Sequence, residues 1–519
     1  MTPEITADKQ VEPTKNAPST AGMTTEVVKG SMWTLAGSVV PLAVSFISIP
    51  FVIRFLGTES YGVLLLVGLI PTYFAFADFG MGIASTKFAS EAYGQGDERR
   101  EAEIVWTATL IAAISALIIA VPIFLFSYQI VTLLNVPEHL LSQASIALKI
   151  ASGSFFLGVQ SSILNSPLLA RLRMDLNMLT SAIPKILLAA VTPVILYFGG
   201  GIVEAVGWAF IVAAGTLAVV IYFSTGLLPG LLSASFNRDL MRPLLKFGGG
   251  WLLAVMAAIL VANVEKLFLT QMVSVKALAY YSVAFSVAMM ATVFSQAMVQ
   301  SLVPAFSRLD RATSGAELER LLSRSIRINI LWLLPTLTVM FVAAKPLFSV
   351  WAGEDFGTES VLPFYILLAS LFFNILAYVP HAAIVAAGRT DVFARLYWFE
   401  LAIYVVTAWF LVARFEAVGA ALAWSLRTIL DALFVIGLSK RIAGVRFKFW
   451  PHIRLLSLGI LMLACPIFLA LFVESWLLIG GLLAVCVCAY LVIAWYRFVS
   501  VEERHWIVGQ LRGLLTGLR

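Results

Sequence analysis

Apolar runs long enough to cross a bilayer, separated by short polar turns, occupy almost the whole chain. They fall near 31–56, 60–85, 104–128, 142–168, 176–199, 202–226, 247–272, 277–304, 326–350, 361–387, 395–414, 417–438, 453–473 and 475–497. A crossing helix needs about 20 apolar residues. Backbone polar groups find no water inside a bilayer, so runs of this length read as helices and not as sheet. The fold class is therefore all-α integral membrane, with about 14 transmembrane helices. Composition agrees: of 519 residues, 61% are hydrophobic and 12% charged, where soluble domains are nearer half apolar and a quarter charged. Little chain is left for a soluble domain.

The net charge of +6 is not a nucleic-acid footprint, because the basic residues sit in loops between apolar runs. They act as topology determinants. With the N-terminus placed inside, the outer turns hold only Arg54, Lys276, Lys345 and Arg414, and four cations (Lys149, Lys185, Lys266 and Arg427) lie within helices. The others fall on inner loops and tails, which puts both termini on the cytoplasmic side. Residues 1–28, rich in Thr, Pro and Ala, read as a disordered cytoplasmic tail, and 498–519 as a cytoplasmic amphipathic tail. Cys465, Cys486 and Cys488 all lie in late apolar runs, so neither a disulfide framework nor a zinc spacing is expected.

The sequence carries a weak internal repeat. KGSMWTLAGS (Lys29–Ser38) is echoed by KFGGGWLLAV (Lys246–Val255), and SYGVLLLVGL (Ser60–Leu69) by AYYSVAFSVA (Ala279–Ala288). Both halves start inside and have six spans, so the repeat is parallel. This divides the chain into an N-terminal six-helix lobe (29–226), a cytoplasmic inter-lobe linker (227–246), a C-terminal six-helix lobe (247–438) and additional helices at 453–497.

The first hairpin, FVIRFLGTESYGVLLL followed by FADFGMGIAS, resembles the first two helices of bacterial polysaccharide flippases of the O-antigen type. NVEKLFLTQMVSVKALAYYSVAFSV (Asn263–Val287) is similar to the matching hairpin of their second lobe. These belong to the multidrug/oligosaccharidyl-lipid/polysaccharide exporter superfamily. The resemblance implies two lobes around a central cavity of alternating access. It also implies a substrate, an oligosaccharide carried on a polyprenyl diphosphate, flipped from the inner to the outer leaflet of the bacterial cytoplasmic membrane. The implied partners are that lipid-linked oligosaccharide, membrane lipids, a glycan polymerase and other polysaccharide-assembly proteins; no cofactor is implied.

A diphosphate with a hydrophilic glycan needs a wet, cationic path. A Lys or Arg at a helix centre costs about 2.5–3.5 kcal/mol, so those retained at depth are candidates by default. Lys185 shares a helix face with Ser181, Leu188 and Thr192. Lys149 has Ser152 and Gln160 on its side. Each either lines a first-lobe cavity or pairs or snorkels to the headgroups. Arg54 ends a helix whose Thr34, Ser38, Pro41, Ser45 and Ser48 form a polar stripe; Pro41 and Pro50 bend it, as suits a gating helix. That stripe lines the cavity or a helix seam, and Arg54 is a cavity cation or a headgroup anchor. Lys266 shares a face with Asn263 and Thr270, about 100° from Glu265. Gln296 and Gln300 offer a polar face for sugar hydroxyls or interhelical bonding. Arg427 and Asp431, at i and i+4, are expected to form a structural ion pair. Asp78 is either a gate partner or a solvated end charge.

Two other classes compete. A multidrug or cation antiporter of the same superfamily would want a carboxylate early in the first lobe, and Ser31–Leu56 contains none. A membrane glycan polymerase or acyltransferase would need a long outer loop or a catalytic His with a nearby acid. No GxxxxGK[ST] phosphate loop occurs. A non-enzymatic transporter is the expectation.

Overall fold

The computed structural model describes residues 20–308, 315–389, 391–442, 453–470, 476–498 and 504. The first half contains α1 (Thr20–Leu56), α2 (Thr58–Tyr73), α3 (Met81–Gly94), α4 (Glu98–Leu125), α5 (Ser127–Leu133), α6 (Leu141–Leu164), α7 (Ser166–Ala170), α8 (Met174–Tyr197) and α9 (Ile202–Leu227). The second contains α10 (Arg238–Met272), α11 (Val275–Met289), α12 (Val293–Arg308), α13 (Gly315–Ala352), α14 (Glu354–Glu359), α15 (Val361–Ala386) and α16 (Asp391–Ile442). Two further helices follow, α17 (Ile453–Ala470) and α18 (Trp476–Phe498). The expected tail at 1–28 is partly helical, since α1 takes in residues 20–28. The expected amphipathic tail lies, apart from Phe498 and Arg504, outside the described residues.

Twelve segments among the described residues are long and apolar enough to cross a bilayer, and the chain is a multi-pass membrane protein. One of the twelve, Arg395–Ile442, is a hairpin: Glu416 leaves helical geometry at φ 52°, ψ −127°. Its two arms pack antiparallel, with the Phe399 and Phe434 rings 6.3 Å apart and Tyr404 in one small core with Ala423. These arms correspond to the expected spans eleven and twelve. Span thirteen is a shorter apolar helix, Ile453–Phe468. Length and hydropathy alone therefore do not fix the count at fourteen.

The second expected span is not continuous. The chain leaves α2 through a 3-10 turn, Ala75–Asp78, and two left-handed residues, Phe79 at φ 52° and Gly80 at φ 71°, before α3 begins. Its counterpart in the second half breaks at the same depth, after a helix of 15 residues against 16, through the 3-10 turn Met290–Thr292. The internal repeat is thus visible as a repeated break.

Packing differs between the two ends of the bundle. One end carries the basic loops around Arg99, Arg171 and Arg238; we call it the basic end and the opposite one the far end. At the far end apolar cores run across both lobes, one combining Val52, Ile53 and Tyr61 with Ala277, Tyr281 and Phe348 and another Val63 and Leu66 with Val275 and Leu278. There α2 crosses α11 so closely that a Cβ on Gly62 would stand 2.1 Å from the Val275 carbonyl oxygen, which requires glycine. Towards the basic end the cores separate by lobe. Met81, Ala108 and Ile163 form one, and Leu322, Ile326 and Val379 another. Among the described residues α3 and α12 form no packed pair. The lobes are joined at the far end and diverge at the basic end.

The connection between lobes is not a free linker. Leu228 and Leu231 are buried in the first lobe's core, and α10 starts at Arg238, nine residues before the expected boundary at 247. Its opening turns place Leu244 against Met81 and Ile104, so the first stretch of α10 belongs to the first lobe.

Candidate functional site

The break between α2 and α3 shapes a polar cavity in the first lobe. Asp78 accepts the Gly80 N–H at 2.9 Å and the Gly82 N–H at 3.2 Å, satisfying donors at the start of α3. A Cβ on Gly80 would lie 2.6 Å from the Gly248 carbonyl oxygen, so the left-handed turn is also a close crossing with α10. Asp78, half-buried at the cavity wall, is thus the cap that holds the break.

Below the break α3, α6, α8 and α9 enclose a cavity of about 820 Å³. Its polar lining is mainly hydroxyl and amide: Thr86, Ser90, Ser161, Ser162, Asn165, Thr180, Ser181 and Thr216. Four hydroxyls donate back to carbonyls of their own helices: Thr86 to Gly82 (2.8 Å), Ser90 to Thr86 (2.7 Å), Ser161 to Leu157 (2.9 Å) and Thr216 to Val212 (2.7 Å). Their protons are committed, and what remains towards the cavity is acceptor capacity. Such a wall complements a ligand rich in O–H donors. The charged lining residues are Asp78 and Lys87. Lys87 lies 3.7 Å from Glu91 and its ammonium 4.4 Å from the centre of the Phe247 ring on α10.

The sequence-derived cations disperse. Lys185 is exposed on α8, on the stripe between Ser181 and Leu188, both of which line the cavity, and among the described residues it forms no ion pair. Lys149 is elsewhere: half-buried in an apolar groove of about 480 Å³ between α4, α6 and α9, 5.9 Å from the Phe124 ring centre. It shares no wall with Lys185. Arg54 is exposed in a third space, a far-end groove of about 1050 Å³ between α1 and α13. The polar stripe on α1 divides too. Ser48 is buried in the α1–α8 seam, its hydroxyl bonded to the Ala189 carbonyl at 2.5 Å, and Ser45 is half-buried. The side chains of Ser38 and Gln300 lie outside the described ones. Gln296 is exposed and donates to Thr292 Oγ1 at 2.9 Å.

The second lobe buries its charges. Glu265, 0% exposed, accepts from Tyr281 Oη at 3.1 Å and Tyr404 Oη at 2.8 Å. Lys266 points away from it, donating to Asn263 Oδ1 at 2.8 Å and lying 4.6 Å from the Phe285 ring centre. Arg427 pairs with Glu400 on the facing arm of the hairpin at 3.5 Å, and not with Asp431 at i+4 as expected. One Asp431 oxygen is buried without a hydrogen-bond partner. The helical spacing is right for the expected pair, but the folded-back arm offers Arg427 a carboxylate from across the hairpin. Glu400 was legible as a lone acid inside an apolar run, a signal that reading the run for hydropathy alone passes over.

A second missed pair braces the basic end. Arg171 makes a bidentate bond to Glu101, with Arg171 Nη2 3.1 Å from Glu101 Oε2, and its guanidinium lies 4.5 Å from the Tyr93 ring centre. Glu101 is 0% exposed. Next to it Asn237 is bonded to Glu103 (2.7 Å) and Thr107 (3.0 Å), which fastens the start of α10 to α4. Among the described residues no group of three or more His, Cys, Asp or Glu could hold a metal ion.

A polysaccharide biosynthesis protein family matches residues 51–361. A putative O-antigen transporter of Shigella flexneri is 22% identical over 421 residues, covering 81% of this chain and 99% of that protein. One of Salmonella typhi is 22% identical over 420 residues, covering 76% and 90%. Among solved structures, the lipid II flippase MurJ in an inward closed conformation superposes with a TM-score of 0.69 at 13% identity, over 92% of this chain and 99% of that one. An inward-facing multidrug resistance MATE family transporter of the MOP superfamily gives 0.64 at 13% identity, over 80% and 95%. At these identities the two structures speak for the fold.

Proposed function

From the premise that the chain belongs to the polysaccharide biosynthesis protein family, we propose that it is a flippase for a lipid-linked oligosaccharide. It carries a glycan repeat on polyprenyl diphosphate from the inner to the outer leaflet by alternating access, and is not an enzyme. The observation that carries this reading is the first-lobe cavity, whose hydroxyls keep acceptor capacity for the O–H donors of a sugar. Lys87 at its wall and Lys185 beside it supply positive charge suited to a diphosphate. The isoprenoid tail needs no cavity, since it can remain in lipid.

Basic loops favour the cytoplasmic side, so the basic end faces the cytoplasm of a bacterial inner membrane, with both termini on that side. The divergent end is then the one open to substrate on the inner leaflet. Lys149 and Lys266 are assigned supporting roles here, at a lipid-facing groove and inside the second lobe, and Arg54 a place where product leaves. A glycan polymerase and other assembly proteins would act downstream. The drug-antiporter reading has less support, because the first-lobe cavity lines up hydroxyls and Lys87 with a single carboxylate already engaged as a helix cap.

The test is complementation. A host lacking its own flippase should regain surface glycan when given this protein. The combined variant Lys87→Gln, Lys185→Gln should lower surface glycan at least about tenfold at equal membrane abundance, since even one hydrogen bond to a charged group is worth about 1.5–3 kcal/mol. Full export by that variant would refute the cationic contact.

A further inference from the structure

Two prolines leave carbonyls without helical donors, and the way each carbonyl is satisfied separates a fixed joint from a movable one. Pro50 in α1 has no N–H to offer the carbonyl of Phe46, and Pro193 in α8 none for that of Ala189. Within a membrane such carbonyls need a partner from elsewhere. The Ala189 carbonyl accepts from Ser48 at 2.5 Å. That of Phe46 accepts from the Trp351 indole N–H at 3.0 Å, and the two rings stack with centroids 4.7 Å apart and planes inclined by 21°.

The first bond joins α1 to α8 inside one lobe. The second joins α1 of the first lobe to the last turn of α13 in the second. Any motion that separates the lobes at the far end leaves the Ser48 bond intact and must break the Trp351 bond. Phe46, Pro50 and Trp351 all line the far-end groove, so the freed carbonyl and the indole would both meet solvent or lipid headgroups once parted. A bond whose acceptor is exposed by proline and whose donor is a single side chain can be made and broken without unwinding α1.

We propose that Trp351 is the latch residue of the far-end gate and that Pro50 creates its acceptor. The proposal rests on the alternating-access reading above. In that cycle the latch is closed while the basic end is open, and it releases when the far end opens.

The experiment is accessibility labelling of the full chain, with Cys465, Cys486 and Cys488 replaced and Ile53→Cys introduced. Ile53 lines the same groove and is 5% exposed, so its substitute reports far-end opening. A membrane-impermeant maleimide is added to the far-end side, with membrane abundance measured in parallel. Trp351→Phe keeps an aromatic ring and removes the N–H. It should raise the labelling rate about fivefold, the weight of one hydrogen bond on a two-state balance. Pro50→Ala returns an amide to the Phe46 carbonyl and should raise labelling similarly with Trp351 intact. Since both act on the one Phe46 carbonyl, the double variant should label no faster than the faster single one. Pro193→Ala, acting within one lobe, should leave labelling unchanged. Unchanged labelling in Trp351→Phe, or fully additive effects, would overturn the latch. Surface glycan in the same cells separates this from the flippase reading. Raised labelling in a protein that never supports export keeps the latch and sinks the flippase, whereas unchanged labelling with export intact does the reverse.

Discussion

The two lobes repeat one another in helix order and in the position of a broken helix, yet away from the Glu101–Arg171 brace at the basic end they treat polar side chains differently. The first lobe keeps neutral hydroxyls around an 820 Å³ cavity. The second draws Glu265, Glu400 and Arg427 into its interior and ties them to Tyr281, Tyr404 and one another. A hydroxyl bonded to its own helix costs little to hold at a wet wall. A buried charge is tolerated only with its partner in place. The same architecture thus serves as a container in one half and as a rigid, internally bonded body in the other.

The largest effect follows from the second lobe. Glu400→Ala would take the ion-pair partner from Arg427, whose side chain is 15% exposed, and leave the buried Asp431 beside it as the remaining carboxylate of the cluster. Stability should fall by about 2–3 kcal/mol, less than for a fully orphaned buried charge because Asp431 remains. Thermal unfolding of the purified protein in detergent measures this. A melting curve unchanged from the parent's would break the contrast, since it would mean that the second lobe's charges are as replaceable as the first lobe's hydroxyls.

The breaks themselves sharpen the comparison next. In the first lobe the turn uses left-handed residues, whereas Met290 and Val293 in the second keep ordinary helical angles (φ −60° and −56°). Gly80→Ala adds a Cβ at φ 71° and against the Gly248 carbonyl, so it should cost about 1–3 kcal/mol. Ala291→Gly, in the milder turn, should cost no more than about 1 kcal/mol. Equal losses in the two melting curves would show that the breaks are held alike.

How much of this was readable in advance depends on range. The spans were legible because hydropathy is local, and so was the reversal at Glu416, where polar residues interrupt an apolar run. The break after Tyr73 was not, because Phe74–Phe79 is nearly as apolar as the helix before it. The turn is made by Asp78 and a glycine whose need is set by Gly248, far away in sequence. Helical phase correctly sent Glu265 and Lys266 in different directions, since that question concerns one helix. It could not separate Lys149 from Lys185, because which wall a residue lines depends on how α4, α6, α8 and α9 are arranged around it. Lys87 was missed for a simpler reason: α3 continues past the expected end at residue 85. The Arg427–Glu400 pair needed the hairpin to be folded.

The smallest effect on stability, and the most telling for function, is expected from the cavity wall. Ser161→Ala and Thr216→Ala remove hydroxyls that bond only to their own helices, so each should change stability by no more than about 0.5 kcal/mol. Lys185→Gln should be equally silent, because an exposed ammonium with no ion pair among the described residues has little to lose on neutralisation. Export should nevertheless fall, more for Lys185→Gln than for either hydroxyl, since a charged contact to a diphosphate outweighs one neutral hydrogen bond. Measured together, melting temperature and surface glycan divide the two lobes. A substitution at the first lobe's cavity wall should lower export at constant stability, and one among the second lobe's buried charges should lower both. If Lys185→Gln lowers stability as much as Glu400→Ala does, the container and the rigid body are one cooperative unit, and the contrast between the lobes is wrong.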